Sequence, residues 1–472
     1  MIILSVTFIL LCEVLKTTNG KECTIIKQNS GEIVNSVFEN IKGLADKLTL
    51  DEFFNITELD SVYSAYKATE YNEDEDLHIM QLLKKYGYRA EQHDVMTSDG
   101  YVLTMYRIPS DGPVVFLMHG LFCSSDDFVT TGPGIGLAYL LADAGYDVWL
   151  GNARGNVHSR RHISLSPSCA EFWDFSWDEI GRYDLPAMID YTLEKTNQKQ
   201  LVYIGHSQGT TSFFVMCSER PEYNDKIKLM VALSAVSYLS HTKSPIVKLI
   251  SSVSPVIWKA AQVLGVYEFT PRNAILEFLT SAFCGTPATA TLVCDNLVFL
   301  MAGPDFAQIN ATALPVIFGH VPAGIATKQL IHYAQLIDSG KFRRFDYGLK
   351  NTLIYGSITP PDYPVEKITS PVVEFYSAND WFGHIDDVKQ LVQRLPNLLK
   401  FNTVPYESFS HMDYLYAKDV KELLYTNVMN LIEKQLKVAT PTAKAHDRSR
   451  TSSVKQQADR KSLLHNIKIG LL

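Results

Sequence analysis

The sequence has few of the features that mark nucleic-acid-binding, metal-binding or membrane-spanning proteins. Its formal net charge is −8, so it lacks the basic excess typical of nucleic-acid partners. It contains no Cys-x-x-Cys pair and no His-rich spacing, and we therefore expect neither a metal nor another cofactor. No apolar run reaches the roughly 20 residues of a membrane-spanning helix. The best internal candidate, 245–267, is interrupted by Lys248, Pro255 and Lys259.

The first 20 residues predict a signal peptide. Residues 2–12 form an apolar run with the length of a secretory h-region, although no Lys or Arg precedes it. We expect cleavage near Gly20. The prediction places the protein in the secretory pathway, as an extracellular or lysosomal protein.

The cysteines and two sequons fit that compartment. Removal of residues 1–20 leaves six cysteines, an even number that permits three disulfides without requiring them. Cys284 and Cys294 are ten residues apart and form the favoured local pair. Asn55-Ile56-Thr57 and Asn310-Ala311-Thr312 match the N-glycosylation sequon.

Apolar segments and helical segments alternate along most of the chain. PVVFLMHG, DVWLGN, LVYIGHS and KIKLMVALSAV have the pattern of buried strands, and helical patterns separate them. The strand pattern stops after about residue 238 and returns at PVVEFYSAND and KFNTVPY. Continuous apolar strands interleaved with helices predict an α/β fold, with a mostly parallel sheet covered by helices on both faces.

The interruption of this pattern predicts the domain organisation. We expect a signal peptide (1–20), an N-terminal extension (21–75), the first part of an α/β core (76–238), a largely helical cap or lid (239–350), the second part of the core (351–437) and a basic disordered tail (438–472).

A G-x-S-x-G motif predicts the nucleophile. Gly205-His206-Ser207-Gln208-Gly209 lies between an apolar strand and a helical segment, which is the context that the motif requires. A sharp strand-to-helix turn exposes the serine at the edge of the sheet. The N-terminus of the helix supplies N–H groups for an oxyanion.

A serine hydroxyl needs a base, and the base needs an orienting carboxylate. In the chain order serine, acid, histidine, Asp380 follows one predicted strand and His411 follows the next. Position and order favour these two residues. The alternatives are His320, His332 and His384 for the base and Asp386 and Asp387 for the acid.

The loop His119-Gly120-Leu121 predicts the second half of an oxyanion hole. It ends the strand PVVFLM, as the corresponding loop does in hydrolases with an HG motif. The donors would be the backbone N–H groups of Leu121 and Gln208. An ordinary strand-to-helix turn is the alternative interpretation of the loop.

With these residues assembled, the chain resembles the acid lipase family, which includes gastric and lysosomal acid lipases, and especially their insect relatives. The resemblance covers about residues 75–437. It is carried by DGYVLTMYRIP, PVVFLMHGLFCSSDDF, LADAGYDVWLGNARGN, EFWDFSWDEIGRYDLPA and YIGHSQGTTSFF.

The resemblance implies an α/β-hydrolase fold and a set of site residues. The family's catalytic serine, aspartate and histidine fall on Ser207, Asp380 and His411, and its oxyanion donors fall on Leu121 and Gln208. It also implies a mobile lid within 239–350, glycosylation at Asn310 and a Cys284–Cys294 bridge.

The implied activity is hydrolysis of neutral-lipid esters, of the triglyceride or cholesteryl ester type, at a lipid–water interface and without a cofactor. A short-chain carboxylesterase and an inactive lipid-binding protein are the alternatives. Retention of all three triad residues argues against the latter. We expect a monomer or a weak oligomer.

The chain departs from the family in two loops. The family has Leu-Ala-Asp where this chain has Phe382-Gly383-His384, directly after Asp380-Trp381. It has His-Leu-Asp-Phe where this chain has 411–414, His-Met-Asp-Tyr. Both changes lie beside predicted catalytic residues.

Overall fold

The computed structural model of the protein describes residues 56–264, 267–269 and 302–438. The predicted signal peptide and the tail beyond residue 438 lie outside the described residues. So do Asn55, Cys284 and Cys294, and their predicted modifications therefore stay predictions.

Nine strands of the described chain form one sheet, in the order β1-β2-β4-β3-β6-β7-β10-β11, with β5 paired to β2. The strands are β1 (Glu91–Met96), β2 (Tyr101–Ile108), β3 (Val114–Met118), β4 (Asp147–Leu150), β5 (Arg161–His162), β6 (Leu201–His206), β7 (Ile227–Leu233), β10 (Val372–Tyr376) and β11 (Leu398–Thr403). The six strands from β4 to β11 in this order are parallel, and β1 and β2 are antiparallel additions.

Helices occupy the connections between the parallel strands. The helices are α1 (Ile56–Lys67), α2 (Ile79–Lys85), α3 (Leu137–Asp143), α4 (Trp177–Glu179), α5 (Leu185–Thr196), α6 (Gln208–Glu219), α7 (Pro245–Leu264), α8 (Leu314–His320), α9 (Thr327–Ser339), α10 (Asn351–Tyr355), α11 (Ile385–Val392), α12 (Asp413–Tyr416) and α13 (Thr426–Val438). A π-helical turn, Ile180–Asp184, joins α4 to α5.

The burial of the strands explains why they read as continuous apolar runs. Every residue of β3, β4 and β6 is buried. A central parallel strand is covered on both faces, so neither face tolerates the alternating polar residues of a half-exposed strand. The edge strand β1 does alternate between half-buried and exposed positions. The α/β fold with a mostly parallel sheet, predicted from these runs, is confirmed.

The chain between β7 and β10 contains α7 to α10 and a small separate ladder of β8 (Glu268–Phe269) and β9 (Ile325–Ala326). The Ser251 hydroxyl of α7 donates to the Ala334 carbonyl of α9 at 3.2 Å. Gln329 of α9 donates to the side chain of Gln208 at 3.0 Å. Helix α9 therefore lies against the start of α6, directly after Ser207.

Two of the three cysteines within the described residues are free. Cys123 and Cys217 are buried and unpaired, whereas Cys169 is disulfide-bonded. The six cysteines that follow the predicted signal peptide therefore do not form three bridges. Among the helices of the described ranges, none is both long and apolar enough to cross a membrane.

Candidate active site

Ser207 occupies a strained turn between β6 and α6. Its backbone angles are φ 53° and ψ −118°, a region that L-residues rarely adopt. A Cβ on Gly205 would lie 2.8 Å from the carbonyl carbon of Gly209, and a Cβ on Gly209 would lie 2.3 Å from the Met118 carbonyl oxygen. Both flanking glycines are therefore required because neighbouring backbone passes too close for any side chain.

Three predicted residues meet in one hydrogen-bonded chain. The Ser207 hydroxyl lies 2.8 Å from His411 Nε2. His411 Nδ1 lies 3.0 Å from Oδ1 and 2.9 Å from Oδ2 of Asp380. All three side chains are buried. Because β6 and β10 are parallel, the turns after their carboxyl ends meet at one edge of the sheet, and the turn after β11 brings His411 to the same place.

The carboxylate of Asp380 is held by several donors. The backbone N–H groups of Phe382 and Gly383 donate to its Oδ1 at 3.0 and 2.6 Å. The Ser234 hydroxyl donates to its Oδ2 at 2.5 Å. Burial acts to raise the pKa of Asp380, but His411 and these donors hold that pKa below its ordinary value. Asp380 is therefore ionised over the range in which a histidine acts as a base.

The competing candidates have other partners, so the structure brings only Asp380 and His411 to Ser207. His332 stacks on Trp177 at 3.7 Å, His320 contacts Asp126 at 2.8 Å, and Asp387 contacts His241 at 2.8 Å. The ring of His384 accepts from the backbone of Asp386 and caps α11.

The two predicted oxyanion donors flank the serine. Gln208 is the first residue of α6, where a backbone N–H has no acceptor within the helix. The Leu121 N–H makes no hydrogen bond within the described part of the chain. Glycine at position 120 allows the loop after β3 to approach the turn at Ser207, because a Cβ there would lie only 3.1 Å from the Cβ of Ser207.

His119 fixes the oxyanion loop against the neighbouring turn. Its Nδ1 lies 2.8 Å from the Gly120 carbonyl, and its Nε2 accepts the backbone N–H of Ala153 at 3.1 Å. Burial lowers the pKa of His119 to about 4. The ring is therefore neutral and serves as a structural donor and acceptor.

One small cavity adjoins the serine, and a second lies next to it. The first has a volume of about 320 Å³, part of it open to solvent, and is lined by Ser207, His411 and the loop of Gly120 and Leu121. The second, of about 280 Å³ and also partly open, lies between α7 and α9. Leu121 and Phe382 line both. The lining of the second cavity is almost wholly apolar and consists of Leu121, Val247, Leu330, Tyr333, Ala334, Ile337 and Phe382.

Sequence reasoning missed Ser234. It follows β7 directly, at the carboxyl edge where the triad lies, and this position was the available signal. A serine after a buried strand is common, however, and only the fold shows that its hydroxyl contacts Asp380.

The parallel sheet, the serine at the strand-to-helix turn and the chain order serine, aspartate, histidine define an α/β-hydrolase. Family models agree with this class. Residues 79–132 match the partial α/β-hydrolase lipase region, and residues 113–254 match the α/β hydrolase fold.

Curated relatives narrow the class. Lipase 3 of Drosophila melanogaster is 44% identical over 356 residues, which cover 74% of this chain and 90% of the relative. Lipase 1 of the same organism is 43% identical over 368 residues, covering 77% and 81%. Human gastric triacylglycerol lipase is 38% identical over 372 residues, covering 76% and 92%. The chain therefore belongs to the acid lipase family, and it is a serine ester hydrolase.

Proposed function

We propose that this protein is a lipase that hydrolyses neutral-lipid esters through an acyl-enzyme on Ser207. The observation that carries the proposal is the hydrogen-bonded chain from Ser207 through His411 to Asp380. Relatives named as lipases, including a gastric triacylglycerol lipase, support the substrate class.

The geometry supports the following mechanism. His411 Nε2 takes the hydroxyl proton as Ser207 Oγ attacks the ester carbonyl carbon. The backbone N–H groups of Leu121 and Gln208 stabilise the oxyanion of the tetrahedral intermediate. His411 then protonates the departing alcohol, and water repeats the sequence on the acyl-enzyme. Asp380 remains ionised, orients the imidazole and stabilises its positive charge.

The apolar lining of the second cavity, between α7 and α9, supports an acyl chain as the substrate group that lies there. This cavity shares Leu121 and Phe382 with the cavity beside the serine, and its lining offers almost no hydrogen-bonding group. An acyl chain buried there gains about 0.8 kcal/mol for each methylene removed from water. In this proposal, residues 239–350 form a cap over the sheet edge that supplies the acyl site and a mobile lid.

The proposed setting is the secretory pathway, with an extracellular or lysosomal destination. Glycosylation of Asn310 is part of this proposal. Its side chain is half-buried, and its Oδ1 accepts from the Thr312 hydroxyl at 2.7 Å. The Cys284–Cys294 bridge and glycosylation of Asn55 complete the proposal.

The test compares emulsified long-chain triglyceride with soluble short-chain p-nitrophenyl esters, using purified enzyme and the Ser207→Ala variant. We expect hydrolysis of both substrates, with specific activity rising once triglyceride forms an emulsion. Ser207→Ala should lower kcat by on the order of 10⁴-fold or more. The matched control is Ser212→Ala, a buried serine of α6 whose hydroxyl has no partner within the described residues.

Each alternative gives a different result. Activity confined to soluble short esters identifies a carboxylesterase. Lipid binding without turnover identifies an inactive lipid-binding protein. Turnover by Ser207→Ala at the rate of Ser212→Ala contradicts the proposed mechanism.

A further inference from the structure

Ser234 makes contacts that an ordinary structural serine would not make. Its hydroxyl lies 2.5 Å from Asp380 Oδ2 and 2.9 Å from His411 Nδ1. The residue is buried, and its backbone is left-handed with φ 58°. The Ser234 N–H donates to the Phe375 carbonyl at 3.0 Å. The end of the sheet therefore fixes this hydroxyl beside the Asp380–His411 pair.

The direction of the Ser234 hydrogen bond follows from the triad. The Ser207 hydroxyl donates to His411 Nε2, so in the neutral imidazole the proton lies on Nδ1. A protonated Nδ1 cannot accept a further hydrogen bond. The Ser234 hydroxyl therefore donates its proton to Asp380 Oδ2 and competes with His411 for the charge of that carboxylate.

Gly383 leaves the space in which this hydroxyl sits. A Cβ at position 383 would lie 2.6 Å from Ser234 Oγ, and its next contact, Asp380 Oδ2, would be 3.2 Å away. The Ser234 hydroxyl therefore occupies the volume that a side chain at position 383 would need. This packing gives a physical reason for glycine at a position where the family has alanine.

We propose that Ser234 is a positioning residue that extends the activity of the triad to lower pH, through its hydrogen bond to the carboxylate that pairs with His411. The hydroxyl neutralises part of the Asp380 charge, so the carboxylate stabilises the imidazolium less. The inference rests on the proposed acyl-enzyme function and deepens it, because it concerns the pH range of the same site.

The other titratable groups around the pair do not supply this effect. Burial lowers the pKa of His206 on β6 to about 3, so that ring stays neutral. Burial raises the pKa of Glu374 on β10, of Asp413 and of Tyr414, so these groups stay protonated in acid. The charge that faces the imidazole in acid solution is therefore that of Asp380.

The first test is the pH profile of kcat/KM for Ser234→Ala on a soluble p-nitrophenyl ester. We expect the acid limb to move to higher pH by about half to one unit. Activity at the optimum should fall roughly tenfold, the effect of losing one hydrogen bond to a charged group. Ser234→Gly, which suits the positive φ, should give the same shift if alanine weakens folding.

The control for a merely structural effect is Ser237→Ala, a buried serine three residues later whose hydroxyl has no partner within the described chain. It should leave the acid limb unchanged. An acid limb in both Ser234 variants that matches the wild type would overturn the proposal. Failure of the proposed function would give a different result, namely turnover by a variant that lacks the Ser207 hydroxyl.

A double-mutant cycle tests the packing. Gly383→Ala should lower kcat/KM at least about tenfold in the wild type, because the new methyl group displaces the Ser234 hydroxyl. In the Ser234→Ala background the colliding atom is gone, and the same change should cost less than about twofold. Equal losses in both backgrounds would overturn the assigned contact.

Discussion

A buried arginine should be one of the most sensitive positions for stability. Arg154 has a side chain that is 1% exposed. Its Nε donates to Asp184 Oδ1 at 2.7 Å, and its two terminal nitrogens contact Asp99 at 2.6 and 2.9 Å. The guanidinium lies 4.0 Å from the ring centroid of Tyr101. Arg154 therefore joins the turn after β4, the β1–β2 hairpin and the π-helical turn before α5.

Arg154→Met should be strongly destabilising. It leaves the fully buried carboxylate of Asp184 with the backbone N–H of residue 154, at 3.0 Å, but without a counter-charge. Breaking a buried pair in this way costs about 3–5 kcal/mol. That is a large share of the roughly 5–15 kcal/mol that stabilises a folded protein. The assay is urea unfolding at pH 7, followed by tryptophan fluorescence.

Arg182→Met is the matched control. Arg182 is about one-third exposed and lies 3.5 Å from the buried Asp178, which also accepts a hydrogen bond from the Tyr363 hydroxyl. Because solvent reaches Arg182 and Asp178 keeps this second partner, the loss should be less than about 1 kcal/mol. The double variant Arg154→Met/Asp184→Leu should recover part of the loss, because it removes the unpaired charge. An Arg154→Met variant that loses no more stability than Arg182→Met would show that the buried Asp184 does not depend on this counter-charge.

Two further predictions concern the oxyanion turn and the pH dependence of stability. Gly209→Ala should lower kcat by about 10²-fold or more, since its methyl group would force Met118 and the adjacent oxyanion donor to move; activity within about threefold of the wild type would contradict this. Burial acts to lower the pKa of His320, but Asp126, 2.8 Å away, raises it above the ordinary value. The His320–Asp126 pair therefore stabilises the fold fully below about pH 6.5, and its contribution declines as pH rises through the pKa of His320 in the folded protein. Urea unfolding should show a larger loss for His320→Gln at pH 5 than at pH 8, and equal losses would show that the pair does not titrate as assigned.

The sequence predicted the parts of the fold that depend on local pattern. Buried parallel strands must be apolar throughout, so β3 and β6 were recognisable from a few residues each. The glycines around Ser207 were recognisable because a backbone turn with this geometry excludes side chains. Chain order then separated Asp380 and His411 from their competitors.

The contacts that depend on tertiary approach were not predictable in this way. Arg154 and Asp184 lie in two of the segments that carry the family resemblance, LADAGYDVWLGNARGN and EFWDFSWDEIGRYDLPA. Nothing in either segment specifies that the two residues pair. Ser234 and Gly383 are 149 positions apart in the chain, and their shared volume exists only once β7 and β10 lie side by side. Residue type alone does not distinguish them from other serines and glycines.

In the proposed mechanism Ser207 forms the acyl-enzyme, and covalent labelling of that serine is a direct test. A fluorophosphonate reacts with an activated serine and stays attached, so tryptic digestion and tandem mass spectrometry locate the adduct. The peptide is residues 200–226, because trypsin does not cleave the Arg220–Pro221 bond, and it also contains Ser212 and Ser218 as internal controls. We expect one adduct, on Ser207, that is absent from Ser207→Ala and forms much more slowly in His411→Ala. An adduct on another serine, or equal labelling of Ser207→Ala, would contradict this mechanism.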